Sequence, residues 1–381
     1  MKLSTIAVSI IAVVGVIATG GSWYTGKQVE ERYQSLLTQT NDELKGLNEQ
    51  GIQAEIADVA INRGLFSSDV TYKVKVVIED KSYIAQGNDK LFHGPFPLNR
   101  LAKGNLLPVL ASIDNKLSAV SDELKGVFNG QGILSGQSTF DYSGNIAVDY
   151  NINPWALPDG SLTVGAITNK GNYIPNKKYP SLGEGDFDIT VSTINFVDPD
   201  APDTQATFEN MTLKGSSSVK NERYLSEVKI GSDVSQGSKS VSYTAKAGRL
   251  NFDFAMESDA QAFNDVIPYF NDANAIESEA SQAMQTLMTK GAVIKFKDVS
   301  LTNEKGKSDF SLIADLKPFD MAQVKSLSDA ISLFKQSSMS FNLNLAFAEQ
   351  LFLEKAKLDG LSDEDAKEQA KLTIKEMLDS A

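Results

Sequence analysis

The side chains that most often carry chemistry are scarce in this chain. Among 381 residues there is no cysteine and one histidine, His93. Without cysteine there are no disulfides, no thiolate-ligated zinc or iron–sulfur sites and no thiol nucleophile. A lone histidine excludes most histidine-built metal sites and leaves one position for a serine–histidine arrangement. As a general base, His93 needs an orienting carboxylate and a nucleophilic serine brought to it by the fold, and no Gly-x-Ser-x-Gly elbow accompanies it. It stands in His93-Gly94-Pro95-Phe96-Pro97, where holding a turn through ring hydrogen bonds is the plainer role. Arg63, in Arg63-Gly64-Leu65-Phe66, is able to bind an anion, but packing or pairing with a nearby acid is simpler. Gly64 and Gly94 are expected to supply backbone angles that other residues avoid.

Carboxylates are plentiful, and glycosidases need two of them close together. Asp186 and Asp188 share a strand face if that run is extended. Asp198 and Asp200 would do the same, but Pro199 and Pro202 make that segment a loop. The run Asp198-Pro199-Asp200-Ala201-Pro202-Asp203 offers hard oxygens to a loosely held Ca²⁺. With 49 acidic residues such coincidences are expected, and a solvated, proline-stiffened loop is the better reading. The Gly/Ser runs at 215–218 and 231–240 lack the lysine of a phosphate-binding loop and read as turns. Asn210-Met211-Thr212 matches a glycosylation acceptor, with nothing beside it to give the match meaning. No catalytic residue, cofactor or metal is assigned.

Charge and composition narrow the classes further. Against 49 acids stand 36 basic residues, a net charge of −13. That argues against general nucleic-acid binding, which needs cations to displace counterions from phosphates, and equally against electrostatic docking on anionic lipid. Apolar residues make up 41%, so the chain is neither disordered nor a multi-span membrane protein. The length corresponds to about two to three domains.

The elements that must position any site begin with an apolar leader. After Lys2 the next charge is Lys27, and a bilayer span needs about 20 residues of low polarity. Residues 3–24 reach that length, and Trp23 and Tyr24 fall where an aromatic belt meets the headgroups. The rival is a cleaved signal peptide with an apolar region at Ile6–Ile17 and small residues at Ala18-Thr19-Gly20. The uncleaved anchor is preferred for its length and its belt. Lys27, Arg32 and Lys45 after the segment oppose export on a strict charge count, but large downstream domains translocate largely regardless of charge. Either reading takes the rest of the chain out of the cytoplasm.

Residues 27–49 read as a stalk helix stopped by Gly51, with Val29, Tyr33, Leu36, Leu37, Leu44 and Leu47 at helical spacing. Strands are expected at 55–61 and 69–79 around the turn Arg63–Phe66, and a fixed turn at Leu91–Pro97. Residues 98–128 read as helix interrupted at Pro108. From Gly132 to Phe254, short strands with polar punctuation imply antiparallel sheet, with a hairpin at Tyr142-Ser143-Gly144-Asn145. A helix is expected over 258–290, capped by Ser258 and broken at Pro268. A hairpin follows at 292–301 and 307–316, then helix at 319–336, a strand at 340–347 running into helix 348–358, and a capped helix at 362–380. The fold class is α+β: a transmembrane helix and stalk, then mostly antiparallel sheet with flanking helices. The divisions are 1–26 for the anchor, 27–131 for the stalk and an α+β region, 132–256 for a β-rich region and 257–381 for a second α+β region.

Three segments share a pattern. Ala57-Asp58-Val59-Ala60-Ile61, Glu209-Asn210-Met211-Thr212-Leu213 and Lys297-Asp298-Val299-Ser300-Leu301 each place Asp or Asn before Val or Met, a small residue, then Ile or Leu. Similar amphipathic strands are one explanation and a duplicated β-unit is the other. The spacing is too irregular for a solenoid.

Several marks occur together in order. They are Trp23-Tyr24-Thr25-Gly26-Lys27 after the apolar leader, Arg63-Gly64-Leu65-Phe66-Ser67-Ser68-Asp69 before a tyrosine-containing strand, and His93-Gly94-Pro95-Phe96-Pro97-Leu98. With the Gly360-Leu361-Ser362 link into the last helix, they resemble the YdgA-like family of Gram-negative bacterial envelope proteins, most clearly over residues 1–110. The resemblance implies an inner-membrane anchor with a periplasmic α+β domain. It implies no catalytic residues, and it implies further strands that would lie beyond Ala381. The residues it singles out as structural or binding positions are Arg63, Gly64, Leu65, Phe66, His93, Gly94, Pro95 and Phe96.

Two functions from different classes are compatible with these readings. One is a non-enzymatic inner-membrane protein, tethered to the bilayer through residues 3–24, whose periplasmic β-rich domain binds a partner protein or an apolar or lipid ligand in a sheet-walled groove. The other is an envelope hydrolase using carboxylates or His93.

Overall fold

The computed structural model describes residues 41, 44–45, 52–78, 81–198, 200–270, 277–320 and 324–379. The expected membrane anchor at residues 3–24 lies outside the described residues, as does most of the expected stalk. Among the described residues no helix is long and apolar enough to cross a membrane. Asn41, at the end of the stalk region, brackets Ile56: its Nδ2 donates to the Ile56 carbonyl at 3.0 Å and its Oδ1 accepts the Ile56 N–H at 2.7 Å. A side-chain amide thereby satisfies a strand that has no neighbour on that edge among the described residues.

The described residues fall into two compact units divided after Pro175. The first holds β1 (Ile52–Arg63), β2 (Ser67–Ile78), β3 (Lys81–His93), β4 (Ala111–Ala119), β5 (Gly132–Phe140), β6 (Ile146–Ile152), a small hairpin of β7 (Trp155–Ala156) and β8 (Leu162–Val164), and β9 (Ile167–Pro175). The main strands pair in the order β1-β2-β3-β4-β5-β6-β9, antiparallel throughout. Two short helices, α1 (Leu98–Leu101) and α2 (Asp122–Val127), sit in its connections. The second unit holds β10 (Gly183–Asp198), β11 (Ala201–Lys220), β12 (Arg223–Ser238), β13 (Tyr243–Asp259), β14 (Ala292–Asn303), β15 (Gly306–Asp315) and β16 (Ser338–Asn342), a meander in chain order. Its helices are α3 (Ala260–Phe270), α4 (Glu277–Met288), α5 (Leu327–Ser332), α6 (Leu345–Leu358) and α7 (Asp363–Asp379). Mostly antiparallel sheet with a few helices is what the sequence pattern implied.

Several expectations change. Ala111–Ala119, expected as helix, is a strand in which Ala111, Ile113, Asn115 and Leu117 are buried on one face and Ser112 on the other. Its residues have no strong preference either way, and ladders to β3 and β5 on both sides make it a strand. β3 is 13 residues long and takes in Leu91–His93, the first three residues of the expected turn at 91–97. The strands of the second unit run to 20 residues, so Ala201, Pro202 and Asp203 belong to β11 rather than to a loop. Ser258 is the buried penultimate residue of β13, and Asp259 caps α3 instead by accepting the Ala262 N–H at 2.9 Å. Among the described residues between 317 and 336, only Leu327–Ser332 is helical. Lys317 N donates to Leu333 O and Lys335 N to Asp315 O, both at 2.8 Å, which hold the flanks extended. Asn344 accepts the Phe347 N–H and starts α6 three residues earlier than expected.

The repeated segments turn out to share a β-bulge. Asp58 and Val59 oppose one residue of β2, and Asn210 and Met211 oppose one residue of β12. Asp58 and Asn210 both have φ near +50°. The third copy bulges one residue earlier, at Lys297 and Asp298 against β15. Each lies on the first strand of a hairpin. Asp58 pairs with Lys73 at 2.8 Å and Asp298 with Lys307 at 3.0 Å, while Asn210 donates to Asp233 at 2.9 Å.

The first sheet seals one face. Val70, Tyr72, Val74, Val76 and Ile78 of β2 are buried in strict alternation, with Tyr83, Ala85 and Leu91 of β3 beside them. Leu124, Val127 and Phe128 around α2 and Trp155 and Leu157 near the small hairpin are also buried.

Candidate functional site

The structure brings the two motif segments of the first unit together at one end of its sheet. Strand β1 turns into β2 at Gly64–Phe66, and β3 leaves the sheet at His93. The His93 N–H donates to Phe66 O at 3.0 Å, His93 Nδ1 lies 3.2 Å from Leu65 O, and Nε2 lies 3.0 Å from Ser68 Oγ. One side chain thus ties the Arg63–Phe66 turn to the start of the next connection. Gly94 N donates to Leu110 O and Val109 N to Pro95 O, both at 2.9 Å, closing the 96–108 excursion at its base. The Gly94–Pro95 peptide is cis.

Gly64 and Gly94 are needed for space, not for unusual angles. Neither adopts positive φ. A Cβ on Gly94 would lie 2.2 Å from Val109 O and 2.5 Å from Leu110 O, and one on Gly64 would lie 2.7 Å from Ser67 O. Backbone crosses backbone there, and a methyl group has nowhere to go. Arg63 is exposed and has no carboxylate partner among the described residues, so the expected pairing is not found. Leu65, Phe66 and Phe96 are exposed.

Ser68 resembles a nucleophile beside a base, but it is 3% exposed, and the His93 nitrogen away from it faces a backbone carbonyl rather than a carboxylate. The Asp186–Asp188 pair is also not poised. Asp188 is neutralised by Lys214 at 2.7 Å across the β10–β11 ladder. Among the described residues no cluster of three or more His, Asp or Glu could hold a metal.

A buried polar network in the middle of the first sheet was not foreseen. Asn115 Nδ2 donates to Asp89 Oδ2 at 2.9 Å, and Lys116 N donates to Asp89 Oδ1 at 3.2 Å. Ser138 and Tyr150 hydroxyls both donate to Asn115 Oδ1 at 3.2 Å and contact each other. Burial pushes the Asp89 carboxyl up to about 6 and the Tyr150 hydroxyl up to about 12. A signal was present: Tyr83-x-Ala85-x-Gly87-x-Asp89-x-Leu91 puts an acid on an inward position of an alternating strand.

The second unit carries a different surface. Strand register places Ile189, Leu213, Ile230, Phe252, Val299, Phe310 and Phe341 in one row across seven strands. The adjacent row on the same face is Phe187, Gly215, Val228, Phe254, Phe296, Leu312 and Met339. Apart from Gly215 none of these residues is buried, and Phe341 and Met339 are 68% and 73% exposed. Gly215 leaves room for the Phe187 ring, whose Cε1 stands 2.3 Å from where a Cβ would be. Phe254 packs edge-on against Phe296 at 5.3 Å, and Phe252 lies 5.9 Å from Phe296. At about 4.8 Å per strand the face is about 29 Å wide.

The opposite face of the same sheet is charged and cross-linked. Lys229 meets Glu227 and Asp253, Lys297 meets Glu227, and Arg249 meets Asp233. A depression of about 330 Å³ on that face is floored by Ser216, Ser218 and Ala255. The helices pack toward the strand ends: Phe263 of α3 stacks on Tyr224 at 5.1 Å, and Glu354 of α6 accepts from Tyr243 at 2.8 Å. The middle of the apolar face stays half exposed.

Comparison with known proteins adds relatives without assigned chemistry. Protein YdgA of Escherichia coli (strain K12) is 35% identical over 162 residues, which cover 40% of this chain and 32% of that protein. An uncharacterised protein of Haemophilus influenzae (strain ATCC 51907 / DSM 11121 / KW20 / Rd) is 31% identical over 115 residues, 29% of this chain and 31% of that one. The uncharacterised protein YihF of Escherichia coli (strain K12) is 28% identical over 126 residues, 31% of this chain and 25% of that one. The matched segments span about a third or less of these relatives. A profile described as "Bacterial protein of unknown function (DUF945)" matches residues 1–222 and 155–381, which together take in the whole sequence. The chain belongs to the bacterial family DUF945, consistent with the YdgA-like character of its motifs.

Proposed function

We propose that this is a non-enzymatic envelope protein, anchored in the inner membrane through residues 3–24 with its bulk in the periplasm, that binds an acyl chain or similar apolar ligand along the second sheet. The observation that carries this reading is the open pair of apolar rows from Ile189 to Phe341 and from Phe187 to Met339. The same alternation in the first sheet is sealed, whereas here it is only half-buried, and it is exposed at Phe187, Met339 and Phe341 on the outer strands. Apolar area of this extent exposed to water marks a binding surface. A flat ladder of Phe, Ile, Leu and Val offers dispersion contacts without directional chemistry, which suits a hydrocarbon chain.

Mass spectrometry of lipids retained by the protein in mild detergent tests this. The wild type should carry acyl lipid, and Phe252→Ser with Phe254→Ser should lose most of it while staying folded. Repeated absence of bound lipid in the wild type removes the reading. A hydrolase using His93 has the Ser68–His93 contact in its favour. Its test is an ester or glycan substrate screen in which His93→Ala abolishes turnover.

A further inference from the structure

The sheet end where β1 turns into β2 and β3 leaves for β4 is built from exposed apolar side chains and unpaired cations. Leu65 and Phe66 at the first turn are 83% and 63% exposed, and Leu106 and Leu107 on the 96–108 excursion are 70% and 71% exposed. Every residue from Leu101 to Pro108 is exposed. The fold does not require large side chains at these tips, because the excursion is already closed beneath them by the backbone bonds at Gly94 and Val109.

The charge here differs from that of the whole chain. Residues 59–68 and 92–113 contain no Asp or Glu, although the protein carries −13 overall, and the neighbouring β5–β6 turn adds one acid, Asp141, whose carboxylate is taken up by Ser143 N, Asn145 N and Asn145 Nδ2. Arg63 and Lys103 have no carboxylate partner among the described residues. Lys103 reaches only the Gln137 amide oxygen at 3.5 Å. On the strands below, Lys73, Lys75 and Lys90 are each ion-paired. Net charge opposes docking of the whole surface on anionic lipid, but that argument does not hold at this end.

Apolar loop tips set among unpaired cations complement a bilayer interface with anionic headgroups. Leucine and phenylalanine side chains enter the acyl boundary while Arg and Lys meet phosphates. A protein groove would bury the same apolar tips and would have to bring its own acids to the cations. We propose that this end of the first sheet docks on an anionic lipid bilayer. The inference stands independently of ligand binding by the second sheet.

The absence of cysteine allows a clean test on the full chain. An environment-sensitive fluorophore is placed at Leu107→Cys, and at Glu123→Cys on α2 at the opposite end of the sheet as control. Phosphatidylcholine vesicles are compared with the same vesicles containing phosphatidylglycerol. The expected result is a blue shift at position 107 with anionic vesicles, none at 123, and loss of the shift at high salt. Adding Arg63→Gln and Lys103→Gln should lower the docked-to-free ratio by about tenfold or more. A water-like signal at 107 with both vesicles overturns the proposal, as does an equal, salt-insensitive shift with both. A shift without vesicles that grows with protein concentration overturns it in favour of a second copy covering the patch.

Discussion

Ser68 Oγ lies 3.0 Å from His93 Nε2, and the other ring nitrogen faces the Leu65 carbonyl at 3.2 Å. A carbonyl accepts only, so Nδ1 carries the proton and Nε2 accepts from the serine hydroxyl. The tautomer is fixed by the turn that the ring holds. His93→Ala and Ser68→Ala should each cost about 1–2 kcal/mol, since each leaves a polar group without its partner. The double variant should cost little more than the larger single one. Urea unfolding followed by Trp155 fluorescence in a Trp23→Phe background reads the first unit, because Trp155 is buried there. Additive losses would dismiss the staple.

Asp89 gives the first unit a pH dependence of definite sign. Burial raises its carboxyl from 3.8 to about 6, while the Lys116 N–H and the Asn115 and Tyr72 side chains pull the other way. Between those two values the folded chain holds a proton that the unfolded chain has released. Stability from this group is therefore present at low pH and falls as pH rises toward 6, levelling above it. The change is up to about 3 kcal/mol, from about two pH units at about 1.4 kcal/mol each. Asp89→Asn should remove that slope, whatever its offset at any one pH. Equal slopes for the two proteins in denaturant titrations from acid to neutral pH would refute the assignment.

The bulges predict matching responses at two distant positions. Asn210 and Asp58 hold φ near +50°, a region that β-branched residues avoid and glycine tolerates. Asn210→Val should cost about 1–2 kcal/mol, and Asn210→Gly much less. The same order, Gly milder than Val, should hold at Asp58. At Asp298, whose φ is not positive, the order should reverse, because glycine gains nothing there and weakens the strand. Thermal unfolding of the six variants checks this, and one shared order at all three positions would show that the third copy has the same backbone.

The sequence pattern made some of this visible for physical reasons. Alternation in Asp69–Ile78 announced β2 because one of its faces is buried and the other is not. The 303–306 turn and the Ser362 cap were legible because their bonds are local: Asp365 N–H to Ser362 Oγ spans three residues. Ala111–Ala119 is not legible as a strand because its local preference is weak and its ladders are made with residues distant in sequence. Asp89, Asn115, Ser138 and Tyr150 come from four strands, so no window along the chain contains their network.

By itself the sequence determined the inventory: no thiol, one histidine, an acidic balance, an antiparallel α+β class and the motifs of the DUF945 family. It also placed bulge-forming residues where three hairpins begin. Only the tertiary structure decided that the Arg63 and His93 motifs form one corner, because a hydrogen bond between them needs two strands folded side by side. Register also decided that fourteen positions on seven strands line up into two rows, thirteen of them apolar side chains and one Gly215. Alternation tells which residues share a face of one strand. Whether that face meets a core or water depends on what is packed over it, and among the described residues too little lies over the second sheet to close it.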